Sequence, residues 1–224
     1  MTSLLALKLF LAPIFVALVS FIQRRWGDRI GGLLIGLPLT TGPFIFIIYL
    51  QEGSAFAARA AHGVLVGQVA LMVFAWTYAI TALKLNWYQA LSTGTIACIA
   101  TGAFLTSFEI PLIFLLPSLL ITWYLVTKFW PQYSKQNRLI SPPRWELPAR
   151  IAVTLIVILS LTGLASLLGA RVSGALSTYP VIASVLGAFN QKRSGADATV
   201  ATLKGIMQSL PFTIVLMATL AILL

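Results

Sequence analysis

The chain has 224 residues, 59% of them apolar and only 9% charged, with a formal net charge of +10. An ordinary soluble domain carries about 25% charged residues, so this composition excludes a water-solvated fold and predicts a chain surrounded by lipid. Its basic residues cluster between apolar runs, which assigns them to topology-setting loops and excludes nucleic acid as a partner. Cys98 lies within an apolar run and His62 is the one histidine, so neither a disulfide framework nor a Cys- or His-rich metal site is expected.

The apolar runs predict an all-α polytopic membrane protein of about eight transmembrane helices. They fall near Leu4–Ile22, Gly31–Leu50, Ala60–Leu83, Trp87–Thr106, Ile110–Trp130, Ile151–Leu168, Val172–Phe189 and Gly205–Leu224. The first run is of spanning length and is followed by Arg24 and Arg25, the arrangement of a first helix and not of a cleavable signal peptide. With the N-terminus outside, the inner loops hold Arg24, Arg25, Arg29, Lys84, Lys128, Lys135, Arg138, Arg144, Arg150, Lys192 and Arg193, which is 11 of the 15 basic residues. The outer side keeps Lys8, Arg59 and Arg171, and Trp26, Trp87, Trp130 and Trp145 fall at the inner interface. Both termini are then expected outside a bacterial plasma membrane.

An internal repeat overlies these spans. Gly27, Arg29, Gly32, Leu34, Pro38, Gly53 and Gly63 recur without a gap as Gly169, Arg171, Gly174, Leu176, Pro180, Gly195 and Gly205, an offset of 169 − 27 = 142 residues. The copies begin after spans one and six, an odd number of crossings apart, so they are expected upside down to one another. This divides the single domain (1–224) into copy one at about 4–83, a central hairpin at 87–130, a basic loop at 131–150 and copy two at about 151–224. Spans one to three and six to eight resemble inverted-repeat secondary carriers as an architectural class.

Span two carries Gly36, Pro38, Thr40, Thr41, Gly42 and Pro43 within one apolar stretch, and span seven carries Ser177, Thr178 and Pro180. A proline inside a helix costs about 3 kcal/mol, and backbone opened within hydrocarbon must be satisfied by protein or enclosed water. Both helices are therefore expected to be interrupted or kinked, with Gly36, Pro38, Thr40, Thr41, Gly42, Ser177, Thr178 and Pro180 lining a substrate cavity. Arg59, His62 and Lys204, at the starts of spans three and eight, are expected to form electropositive vestibules on opposite faces. Gly94, Cys98 and Gly102, and Gly63 and Gly67, form small-residue ridges for close helix packing.

Enzyme signatures such as HExxH, GxSxG or a phosphate-cradling Gly-Lys loop are missing, so no enzyme is expected. No cofactor is implied. Any coupling ion would be sodium held by hydroxyls and carbonyls, because carboxylates are nearly absent from the spans. The expected function is secondary transport, by alternating access, of a small anionic or neutral polar solute. The alternative is a non-transporting scaffold or assembly protein that binds partners through the small-residue faces and the basic loop.

Overall fold

The computed structural model describes the backbone of residues 2–39, 41–133, 143–177 and 179–224, and the side chains of the same residues apart from 2–9 and 165–177. Among these the chain is all helical: α1 (Thr2–Trp26), α2 (Asp28–Gly36), α3 (Thr41–Glu52), α4 (Ser54–Ala82), α5 (Trp87–Leu105), α6 (Leu112–Lys128), α7 (Glu146–Ser177), α8 (Val181–Ser194) and α9 (Ala196–Leu223). Four stretches are long and apolar enough to cross a membrane, namely Asp28–Glu52, Ser54–Ala82, Glu146–Leu164 and Ala196–Leu223, and Leu112–Lys128 is apolar but shorter. Ile96, Ile113, Phe114, Phe212 and Leu223 each leave two-thirds or more of their surface exposed. In water such apolar surface is a liability, whereas in lipid it carries no penalty. The chain is an all-α, multi-pass membrane protein.

Helices α4 and α9 pack against each other at the centre. Around them, α3, α5 and α6 lie on α4, and α2, α6 and α8 lie on α9. Tyr78, Phe74, Met72 and Leu65 of α4 and Leu203, Ile206, Met207 and Leu210 of α9 are fully buried in one continuous apolar cluster. The ridge of Gly94, Cys98 and Gly102 is buried too; a Cβ on Gly94 would sit 3.1 Å from Tyr78 Cβ and 3.3 Å from the Phe74 ring. At Gly94 that ridge meets the chain's own α4.

The tightest approach is between α2 and α9. A Cβ on Gly32 would run into the Thr202 carbonyl oxygen, and one on Gly205 into that of Arg29. Two helices meet at backbone-to-backbone contact here, and only glycine admits it.

Three expected connections differ from the observed ones. A turn was expected between Leu168 and Val172, but α7 continues through these residues for 32 residues to Ser177. No proline lies between Pro148 and Pro180, and a glycine such as Gly169 costs a helix interior only about 1 kcal/mol, too little to stop it. Its repeat partner Gly27, by contrast, adopts φ 94 and separates α1 from α2. The expected loops Gln51–Arg59 and Asn190–Asp197 shrink to single residues. Gly53 (φ 83) alone separates α3 from α4, and Gly195 (φ 91) alone separates α8 from α9. This left-handed backbone is open to glycine and strained for other residues.

Gly32→Ala and Gly205→Ala are each expected to lower stability by about 1–3 kcal/mol through overpacking of the crossing. Gly42→Ala, with nothing within 4 Å of its Cβ, is the matched control and should be neutral. Equilibrium unfolding of detergent-solubilised protein distinguishes them.

Candidate functional site

Helix α2 stops because the chain becomes extended at Leu37 (ψ 151), the conformation favoured before a proline. Leu39 N–H donates to the Leu37 carbonyl at 2.8 Å, a three-residue turn centred on Pro38, and Gly42 N–H donates to the Pro38 carbonyl at 2.9 Å. At the second break Val181 N–H donates to the Tyr179 carbonyl at 3.0 Å, a turn centred on Pro180, and Ser184 N–H donates to the Pro180 carbonyl at 2.9 Å. Farther along, Gly53 N–H donates to the Tyr49 carbonyl and Gly195 N–H to the Gln191 carbonyl, both at 3.1 Å. Every bond in the first set has its counterpart 142 residues later.

The first opened backbone is satisfied from α9. Thr213 Oγ1 donates to the Gly36 carbonyl at 2.6 Å, and a Cβ on Gly36 would meet Ser209 Oγ and the Ile206 carbonyl. Thr41 Oγ1 is buried and makes no hydrogen bond. Beyond the second break, the Tyr179 hydroxyl lies 3.2 Å from Thr95 Oγ1 and its ring meets Phe74 edge-on at 6.2 Å. Leu34 and Ile35, just before the first break, and Ile182, just after the second, pack against the same buried cluster of Phe15, Val16, Val19 and Leu186. Thr40 and Thr178 lie outside the described residues, as does the side chain of Ser177.

Of the three vestibule residues, His62 and Lys204 come to opposite ends of α6. His62 Nε2 lies 2.9 Å from the Ile110 carbonyl before α6, a bond that requires the proton on Nε2. Lys204 Nζ sits 5.4 Å from the Tyr133 ring centre beyond the other end of α6. Arg59 lies over Phe56, 5.6 Å from its ring centre.

The structure also assembles a site that the sequence reading assigned to loops. Arg150 and Arg193 were expected as solvated inner-loop charges. Instead Arg150 is 1% exposed and Glu146 3% exposed, and the two form an ion pair at 2.6 Å. Arg193 reaches the same Glu146 oxygen at 2.7 Å. The Arg150 guanidinium also donates to Asn190 Oδ1 at 2.8 Å, Gln23 Oε1 at 3.1 Å and Ser20 Oγ at 3.3 Å. Asn190 and Gln23 both donate onward to Thr202 Oγ1, at 2.9 and 3.3 Å. This network ties the end of α1 to the starts of α7 and α9 and the end of α8. The two terminal nitrogens of the guanidinium are thus partnered inside the protein, while its Nε is buried without a hydrogen bond. The signal was present as the i,i+4 spacing of Glu146 and Arg150, but the basic residues clustered at 131–150 had marked the region as loop.

Neighbouring contacts place other expected inner-loop residues at this same end. Gln191 Nε2 donates to the Ala82 and Leu85 carbonyls at 3.1 and 3.0 Å, and Lys192 lies over Trp87 at 5.9 Å.

The chain matches no family model, no curated protein and no solved structure.

Removing one partner of a buried ion pair leaves an uncompensated charge and costs about 3–5 kcal/mol. Glu146→Gln and Arg150→Met are each expected to destabilise on that scale, while the double substitution recovers a large part of the loss. A double-mutant cycle of unfolding free energies measures the coupling.

Proposed function

We propose that the chain is a small-solute carrier working by alternating access, with about eight spans arranged as an inverted repeat. The observation that carries this reading is the pair of proline-centred turns at Pro38 and Pro180. They have the same backbone hydrogen bonds, an offset of 142 residues and a glycine pivot farther along at Gly53 and Gly195. Interrupted helices in repeated positions are where carriers of this class hold substrate, because opened backbone supplies unpaired donors and acceptors. Thr41, with its unpartnered hydroxyl, and Gly42 with open space at its Cβ, are the described residues best suited to contact a solute. Pro38 and Pro180 shape the site, and Thr40, Ser177 and Thr178 complete it in this reading. Gly36 takes a packing role against α9. Sodium remains the coupling ion this reading names, and an anionic or neutral polar solute its substrate.

In this mechanism the Glu146–Arg150–Arg193 network closes the end at which α1 stops and α7 begins. The positive-inside distribution makes that the cytoplasmic end of a bacterial plasma membrane, with both termini outside. The repeat counterparts of Glu146, Asn190 and Thr202 are Leu4, Ile48 and Ala60, so only Arg150, paired with Lys8, keeps a charge in both copies. An equivalent polar lock is thus missing from the other copy. A resting state closed inside and open outside follows from that asymmetry. The scaffold alternative keeps the basic loop and the ridge of Gly63 and Gly67, where nothing lies within 4 Å of a Cβ on Gly63.

Access can be read without knowing the substrate. In a Cys98→Ser background, Gly42→Cys is expected to react with a membrane-impermeant thiol reagent from the outer side, and with one supplied inside as well. Adding Glu146→Gln should raise labelling from inside severalfold. A cysteine at Gly42 that reacts from neither face, or from one face irrespective of Glu146, rejects alternating access.

A further inference from the structure

A cleft of about 180 Å³ opens between α6 and α9, lined by Trp123, Thr127, Trp130, Lys204, Met207 and Gln208. Among the described residues its lining contains one cation and no acid. Most polar groups around it are donors, and their commitments are specific. Trp123 Nε1 donates to the Met207 carbonyl at 2.7 Å, and Thr127 Oγ1 to the Trp123 carbonyl at 2.8 Å. Gln208 gives its oxygen to Arg29 Nε at 2.8 Å, which leaves its N–H2 to donate. Trp130 Nε1 is buried and has no acceptor. A buried donor without a partner costs about 1–3 kcal/mol, and an acceptor bound in the cleft that Trp130 lines would offset that cost.

We propose that this cleft binds an oxyanion group, a phosphate or carboxylate, with Lys204 supplying charge and Trp130 and Gln208 supplying N–H donors. Water can fill the same space and accept from Trp130. An ammonium on the lining of the same cleft favours a negatively charged acceptor over a neutral one, and a bond from it is charge-assisted and stronger. Met207 and the Trp123 ring make part of the lining apolar, and less polar surroundings weaken screening. The site does not depend on the carrier reading: it lies on the α6–α9 face, and its residues make no use of the proline turns. Two sources present this chemistry at a membrane surface, the headgroup of an anionic lipid and a free oxyanion in solution.

Binding is measured on the whole chain in neutral maltoside micelles by intrinsic tryptophan fluorescence, since two of the six tryptophans line the cleft. One arm titrates inorganic phosphate at ionic strength held constant with chloride. The other titrates short-chain phosphatidylglycerol against phosphatidylcholine. A saturable change is expected in at least one arm. Saturation with phosphate assigns a soluble oxyanion, and saturation with phosphatidylglycerol alone assigns a lipid headgroup. Lys204→Gln should raise the apparent Kd by about tenfold or more, the equivalent of about 1.4 kcal/mol. Lys204→Arg should retain binding, and Trp130→Phe, which keeps an aromatic ring but removes the N–H with part of the indole, should weaken it severalfold. Trp130→Phe carries the test if Lys204→Gln fails to fold. No saturable signal in either arm, or wild-type affinity in the folded substituted proteins, overturns the proposal.

Discussion

Helix α9 lies against α2 at backbone contact, and the interrupted span depends on that contact. A backbone carbonyl freed inside hydrocarbon costs several kcal/mol unless a partner reaches it. Thr213 reaches the Gly36 carbonyl only because Gly32 and Gly205 let the two helices close to touching distance. The same approach brings Ser209 and Ile206 against Gly36 and Gln208 within reach of Arg29. A side chain at either crossing glycine would push α9 away and leave the break unsatisfied. Packing and polar satisfaction are thus one constraint here.

The second organising element is electrostatic, and it occupies one end of the bundle. Glu146 accepts from two guanidiniums, and Arg150 spreads its remaining donors over side chains from α1 and α8. A buried ion pair of this kind is a poor source of net stability, because desolvation offsets most of the attraction. Its value lies in specificity, since a guanidinium so placed cannot be satisfied in another packing. That property suits a contact that must either hold completely or open completely, which is what a closure at one end of a carrier requires.

The proline turns show how local chemistry and packing divide the work. Pro13, Pro117 and Pro211 lie inside α1, α6 and α9 without ending them. Pro38 and Pro180 sit between helices. Proline removes a donor in every case, so the difference lies in the surroundings. At Pro38 the neighbouring glycines reduce helix propensity, and α9 offers a hydroxyl to the freed carbonyl. The expectation that span two breaks came from that crowding of Pro, Gly and Thr. The continuity of α7 through Gly169 and Arg171 went the other way: a matching glycine in the repeat sits inside a helix in one copy and at positive φ in the other.

What the sequence determined by itself was the membrane class, the helical state and most helix positions. These follow from apolar run length, charge scarcity and the backbone chemistry of proline and glycine, all of them local quantities. Tertiary structure alone decided that Arg150 and Arg193 converge on Glu146, that Gly32 meets Gly205, and that Lys204 shares a cleft with Trp130. Each joins residues far apart in the chain, and a side chain's partner is set by which helices lie side by side. Charge in a sequence reads as solvation until a neighbouring helix supplies the acceptor.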